Sequence, residues 1–303
     1  MNKFKNLISK ALIFNSLLTL GMTEATAGVA NVGLATAPNQ TVEANGVKFS
    51  YRSFGKKTGT PIVFLQHFTG TMDYWDPAVV DGLAKTHQVI VFNNTGMGHS
   101  TGKVADSIDQ MTKDADAFID ALGYKQVDLL GFSMGGFIAQ ELAAAHPDKI
   151  RKVVLVGTSN KGGGDHLLKV LGEAFAQNNG DPRLYLFFTQ TAQSQAAGKA
   201  FIARSSVRKD RDPEISKEDM NSHAKALITW ANTPDSEFNL LKSIKQPVLV
   251  VQGSNDTMLD TANSIAMYQH LPNAQLVLYP DSAHGSLFQF HADFVSKVSN
   301  FLN

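Results

Sequence analysis

A chain of 303 residues, 43% of them hydrophobic, is long enough to bury one large core, and α/β domains of this size commonly form a single unit. Lys+Arg and Asp+Glu both total 27, so the formal net charge is zero and nothing favours nucleic acid or an anionic membrane surface; a small, largely apolar molecule suits such a chain better as a partner. There is no cysteine, which excludes disulfides and thiolate metal sites.

At the N-terminus, Lys3, Lys5 and Lys10 lead into an apolar run from Ala11 to Met22, followed by the small-residue segment Ala25-Thr26-Ala27. This predicts an export signal over residues 1–27, cleaved near Ala27, and a periplasmic or secreted mature protein. The run is short and broken by Asn15 and Ser16, so a stable membrane anchor is not expected. Residues 28–39 are small and polar and read as a disordered leader.

Thr41–Ala44 and Val47–Phe54 flank Asn45-Gly46, a dipeptide that accepts positive φ at both turn positions and marks a tight hairpin. Short apolar runs then recur at Pro61–Phe68, Gln88–Asn93, Val127–Phe132, Lys152–Gly157, Pro247–Gly253 and Gln275–Tyr279. They are nearly continuous in Val, Ile and Leu instead of alternating, as strands covered by helices on both faces require. Helices are expected between them, at Asp114–Leu122 and Phe137–Ala145 among others. The reading is an α/β fold with a mostly parallel central sheet flanked by helices, its core spanning residues 40–158 and 239–303.

Residues 159–238 break the βα rhythm. Helical segments at His166–Gln177, Pro182–Thr191 and Lys217–Ala231 have no convincing strand between them, so this stretch reads as a helical cap insertion. Gly162-Gly163-Gly164 would be its flexible entry and the charge-dense Arg208–Glu214 a solvated loop.

Gly131-Phe132-Ser133-Met134-Gly135 follows an apolar strand and opens a helix. In such a strand-to-helix turn the serine is held in a strained conformation, and glycines on either side remove the Cβ clashes that would prevent it. A serine nucleophile needs a base, and the base needs a carboxylate to orient it. Asp256 lies just after the strand Pro247–Gly253, and His284 in the loop after Gln275–Tyr279, in the chain order serine, acid, histidine. Of nine histidines, His284 alone combines that order with that loop position. The developing oxyanion needs backbone donors, for which the N–H groups of Met134 and of Phe68, after the strand Pro61–Phe68, are the candidates. His67, Phe187, Phe188 and Trp230 are candidate walls of the substrate pocket, and no residue cluster calls for a metal.

Gln66-His67-Phe68-Thr69-Gly70, Gly96-Met97-Gly98-His99-Ser100, the turn at Ser133, His146-Pro147-Asp148 and the Asp256 and His284 loops together resemble the α/β-hydrolase family. The likeness runs from about Thr41 to Phe301, the cap excepted, and points to the branch of serine esterases, enol-lactonases and cofactor-free haloperoxidases. One departure is that Gln66-His67 stands where the family usually has His-Gly. The resemblance implies a cofactor-independent serine hydrolase that cleaves an ester or lactone, a macrolide lactone being one narrower case. It leaves open perhydrolase, carbon–carbon hydrolase and lyase chemistry on the same three residues, and leaves the oligomeric state open.

Overall fold

The computed structural model describes residues 32–176 and 181–303; the expected export signal lies outside the described residues. β1 (Gln40–Ala44) and β2 (Val47–Gly55) pair antiparallel across Asn45 and Gly46, whose φ values are 49° and 78°. The continuous apolar runs become β3 (Ile62–Leu65), β4 (Gln88–Phe92), β5 (Val127–Phe132), β6 (Ile150–Val156), β7 (Val248–Gly253) and β8 (Ala274–Tyr279). These six run parallel, β2 joins β4 antiparallel, and the order across the sheet is β1-β2-β4-β3-β5-β6-β7-β8.

Because side chains alternate along a strand, each run supplies two cores. Ile62, Phe64, Val89, Val91, Leu130 and Phe132 join the layer carrying α1 (Pro77–Ala84), which packs on the C-terminal helix His291–Leu302. Val63, Leu65, Ile90, Phe92 and Leu129 join the opposite layer, carrying α2 (Ile108–Ala121) and α3 (Met134–Ala145). Burial on both faces is why the strands tolerate so few polar residues.

Between β6 and β7 lie α4 (Leu167–Ala176), α5 (Pro182–Phe187), α6 (Ala192–Ser205), α7 (Lys217–Ala231) and α8 (Asn239–Ser243). The remaining helices are α9 (Thr261–His270), α10 (Ser286–Gln289) and α11 (His291–Leu302). α6 has no counterpart in the sequence reading, and the reason is in its buried stripe: Ser194, Gly198, Phe201 and Ser205. Small residues bury there by close approach, a Cβ at Gly198 falling 2.8 Å from the Phe188 ring, so no hydrophobic periodicity marks the helix.

Two further expectations are corrected. Residues 32–39 are not a disordered leader: Leu34 and Ala37 are buried, and the Leu34 N–H donates to Asp81 Oδ1 at 2.7 Å. Nor is Arg208–Glu214 a solvated loop. Arg208 reaches the carbonyls of Ala35 (3.2 Å) and Ala37 (2.9 Å), and the Asp212 N–H donates to Asp73 Oδ2 at 2.6 Å. Asp73 is itself paired with the buried Arg52, Nη1 to Oδ1 at 2.6 Å. Arg208 and Asp212 are turned inward, tying the insertion to the segment before β1 and to Asp73.

Breaking a buried ion pair from one side leaves an uncompensated charge. Arg52→Leu is therefore expected to cost about 3–5 kcal/mol, read from the urea midpoint at pH 7. A loss under about 1 kcal/mol would show that Arg208, whose Nε lies 3.9 Å from Asp73 Oδ1, suffices to compensate that carboxylate.

Candidate active site

β5 ends at Phe132 and α3 begins at Met134, so the whole reversal falls on Ser133, with φ 55° and ψ −121°. That conformation is rare for a residue with a Cβ and persists only when the surroundings impose it. Here the Ser133 N–H donates to Val156 O at 2.9 Å, while its carbonyl accepts the Thr158 hydroxyl at 2.9 Å and the Gly136 N–H at 2.8 Å. Gly131 and Gly135 supply the clearance: a Cβ on Gly131 would strike the Gly135 carbonyl, and one on Gly135 the Leu65 carbonyl of β3.

At the C-terminal end of β7, Asp256 sits buried in a cradle of donors. Its Oδ1 accepts the N–H groups of Met258 (2.9 Å) and Leu259 (3.2 Å), and its Oδ2 accepts Gln252 Nε2 (3.0 Å). The fourth donor is His284 Nδ1, 2.7 Å from Oδ2. Since a carboxylate can only accept, Nδ1 carries the proton and Nε2 of a neutral ring is an acceptor. That Nε2 is buried and takes no hydrogen bond from the protein. Ser133 and His284 line one cavity.

The loop after β3 forms the facing wall. Among the described residues the Phe68 N–H makes no hydrogen bond, and Met134 is the first residue of α3, where an N–H has no acceptor within the helix. Both groups are thus available as donors, Met134 following Ser133 in the chain and Phe68 lining the same cavity.

The family profile of the α/β-hydrolase fold matches residues 60–290. The chain belongs to the α/β-hydrolase family. This hydrolase is 42% identical to an α/β-hydrolase fold protein from Chitinophaga pinensis, with a TM-score of 0.86 covering 90% of this chain and 99% of that one. It is 28% identical over 249 residues to the pimeloyl-[acyl-carrier protein] methyl ester esterase of Nitrosomonas europaea, covering 78% of this chain and 94% of the relative. It is also similar to an N-acyl homoserine lactone degrading enzyme, at 26% identity and a TM-score of 0.66, covering 86% and 100% of the two chains.

The cavity of the hydrolase measures about 450 Å³. Leu167, Leu171, Leu186, Met220, Leu227 and Met258 make its apolar wall, and Tyr74, Asp181, Arg183 and Glu214 a polar one. The polar wall is internally paired: Arg183 is held by Asp181, and the Tyr74 hydroxyl donates to Glu214 at 2.5 Å, which with burial pushes the phenol up to about 12. Of the four pocket residues expected from sequence, His67 and Phe187 line the cavity. Phe188 and Trp230 do not, and both expectations are corrected. Phe188 is buried against Phe201 of α6, and Trp230 stacks on Phe137 at 4.0 Å with its Nε1 donating to Glu141. Both are drawn into packing between helices, where an indole or phenyl ring buries more area than in a half-open cavity.

Three residues that bond to the loops of the site have no site role in the sequence analysis. Gln252 bridges Asp256 and Leu259 O, and its signal was a buried Gln inside an otherwise apolar strand. Thr158, which holds the Ser133 carbonyl, and His223, whose Nδ1 lies 3.2 Å from the Thr69 N–H, have no local signal at all.

Burial pushes His67 down to about 3 and His223 down to about 4, against an ordinary 6.5. Between these values and pH 6.5 the unfolded chain binds more protons, so the stability these rings contribute is complete above about pH 6.5 and falls as pH drops, by about 1.4 kcal/mol per unit each. Going from pH 7 to pH 5, wild type is expected to lose about 2 kcal/mol more than His223→Asn in urea unfolding. Equal losses in the two proteins would show that the folded His223 takes a proton as readily as the unfolded one.

Proposed function

We propose that this hydrolase cleaves a neutral, largely apolar carboxylic ester or lactone through an acyl-enzyme on Ser133. The observation that carries the reading is the unpartnered, buried Nε2 of His284, fixed as an acceptor by the Nδ1 bond to Asp256, on the same cavity as the Ser133 hydroxyl.

On this reading His284 Nε2 takes the Ser133 proton as Oγ attacks the carbonyl carbon, and Asp256 stabilises the imidazolium that forms. The carbonyl oxygen, now an oxyanion, is held by the N–H groups of Phe68 and Met134, each worth about 3 kcal/mol in systems where one donor has been removed. Collapse expels the alkoxide, which takes the proton from His284. Water then attacks the acyl-enzyme by the same route, giving the acid and restoring Ser133. In a lactone the alkoxide stays attached, and the product is one hydroxy acid.

The apolar wall, beside polar groups of which Arg183 is already held by Asp181 and Glu214 by the Tyr74 hydroxyl, favours a substrate that is largely apolar near the reacting carbonyl. The esterase and the lactone-degrading relative support the bond type. The export reading of residues 1–27 is part of the same proposal, supported by the three lysines and the apolar run.

With p-nitrophenyl esters of graded acyl length, and a macrocyclic lactone assayed beside them, Ser133→Ala is expected to lower kcat by at least about 10³-fold with the fold intact. Retained activity in that variant, or peroxide-dependent bromination without ester cleavage, would overturn the reading. Expressed from its full sequence in a bacterium with a periplasm, the purified protein is expected to begin near Gly28 by intact mass; an uncleaved chain would remove the export proposal.

A further inference from the structure

The peptide joining Phe68 to Thr69 is gripped at both of its polar atoms by imidazoles from different parts of the chain. Its carbonyl accepts from His67 Nδ1 at 2.7 Å, and its N–H donates to His223 Nδ1 at 3.2 Å. His67 precedes Phe68 in the loop after β3, whereas His223 lies 154 residues from Thr69, on α7 of the insertion.

The two bonds demand opposite tautomers. A carbonyl only accepts, so His67 carries its proton on Nδ1; an N–H only donates, so His223 is bare at Nδ1 and protonated at Nε2. Both rings are buried and neutral, and the outer nitrogen of each has no partner. Neither ring is used in the proton transfers assigned to Ser133, Asp256 and His284.

The conformation held in this way is one the chain would not choose. Thr69 has φ 62°, and a β-branched residue there is an outlier. Gly70, whose N–H bonds back to the His67 carbonyl at 3.1 Å, and Gln66, whose side chain spans from the His67 N–H to the Thr71 carbonyl, close the loop around it. Rotation of the 68–69 peptide would break both imidazole bonds at once, so the clamp fixes ψ of Phe68 and the position of the residue whose N–H is one of the two proposed oxyanion donors.

We propose that His67 and His223 form a clamp on the Phe68–Thr69 peptide that presets the oxyanion-binding N–H of Phe68, so that α7 of the insertion is a working part of the catalytic site. The two histidines are positioning residues, acting through the backbone, and this inference rests on the serine hydrolase reading above. It predicts an effect on the transition state that leaves substrate binding alone, because neither imidazole bond is made to substrate.

The test compares His223→Leu, which removes the acceptor, with His223→Asn, whose Oδ1 falls where Nδ1 was. With p-nitrophenyl butyrate, His223→Leu is expected to lower kcat at least tenfold with KM within twofold, and to weaken a trifluoromethyl ketone inhibitor, which forms a tetrahedral oxyanion on the serine, by the same factor. His223→Asn should restore both to within threefold of wild type. In the wild-type protein, hydrogen exchange of the Thr69 amide should be slow, and this measurement carries the test if His223→Leu fails to fold. A folded His223→Leu with wild-type kcat, a parallel change in KM alone, or rapid exchange at Thr69 would overturn the clamp. Ser133→Ala assayed in parallel separates the two claims: if it is inert while His223→Leu is unaffected, only the clamp is wrong; if it is active, the serine reading is wrong and Thr69 exchange alone decides the clamp.

Discussion

A serine at φ 55° and ψ −121° costs about 1–3 kcal/mol that a relaxed turn would not, and much of the core is arranged to hold it there. β5 must be central, so that Val156 of β6 is beside it to receive the Ser133 N–H. β3 must lie on the other side, close enough that its Leu65 carbonyl leaves no room for a side chain at Gly135. α3 must start immediately, which points the first, unbonded N–H groups of the helix at the space in front of Ser133. The strain thus brings hydroxyl and donors together in one turn, and it cannot relax without dismantling the middle of the sheet.

The polar groups around that turn are buried, and burial amplifies whatever they do. Four donors converge on Asp256, one of them from Gln252, which a strand as apolar as β7 would otherwise exclude. With the carboxylate so tethered, the His284 ring has one orientation in which Nδ1 is satisfied, and its Nε2 is left facing inward without a partner. On the proposed reaction that acceptor takes the Ser133 proton, and a low local dielectric strengthens the hydrogen bond it forms.

How far the sequence discloses this depends on whether a residue announces itself locally. The sheet is legible because Val, Ile and Leu run unbroken where strands are covered on both faces. Ser133 is marked by Gly131 and Gly135, and Asp256 and His284 are marked by the strands they follow; the structure bonds Asp256 to His284 and puts His284 and Ser133 on one cavity. α6 stays hidden because Ser194, Gly198 and Ser205, which flank Phe201 in its buried stripe, look like surface. Arg208 and Asp212 read as solvated because nothing local says that Arg52 and Asp73 wait 130 or more residues upstream. Phe188 and Trp230 carry the right chemistry for a pocket, but side-chain direction within the insertion follows from helix packing, which no local pattern records.

The insertion is fastened to both of the loops that matter. Thr189 and Thr191 donate to the Asp281 carboxylate at 2.6 and 2.7 Å, just before His284, and the Gly285 N–H donates to Phe187 O at 2.9 Å. His223 reaches the Thr69 N–H on the opposite side of Ser133. These bonds tie the insertion to the loops carrying His284 and Phe68, so the helices between β6 and β7 shape more than the room left for substrate. A change in how α5 or α7 packs would reach the His284 loop or the Phe68 loop through these bonds, and a developing oxyanion depends on exact placement more than an apolar side chain settling into a wide cavity does. Variation in this insertion should therefore alter turnover and substrate preference together, because the same helices supply the pocket wall and the supports of the reacting groups.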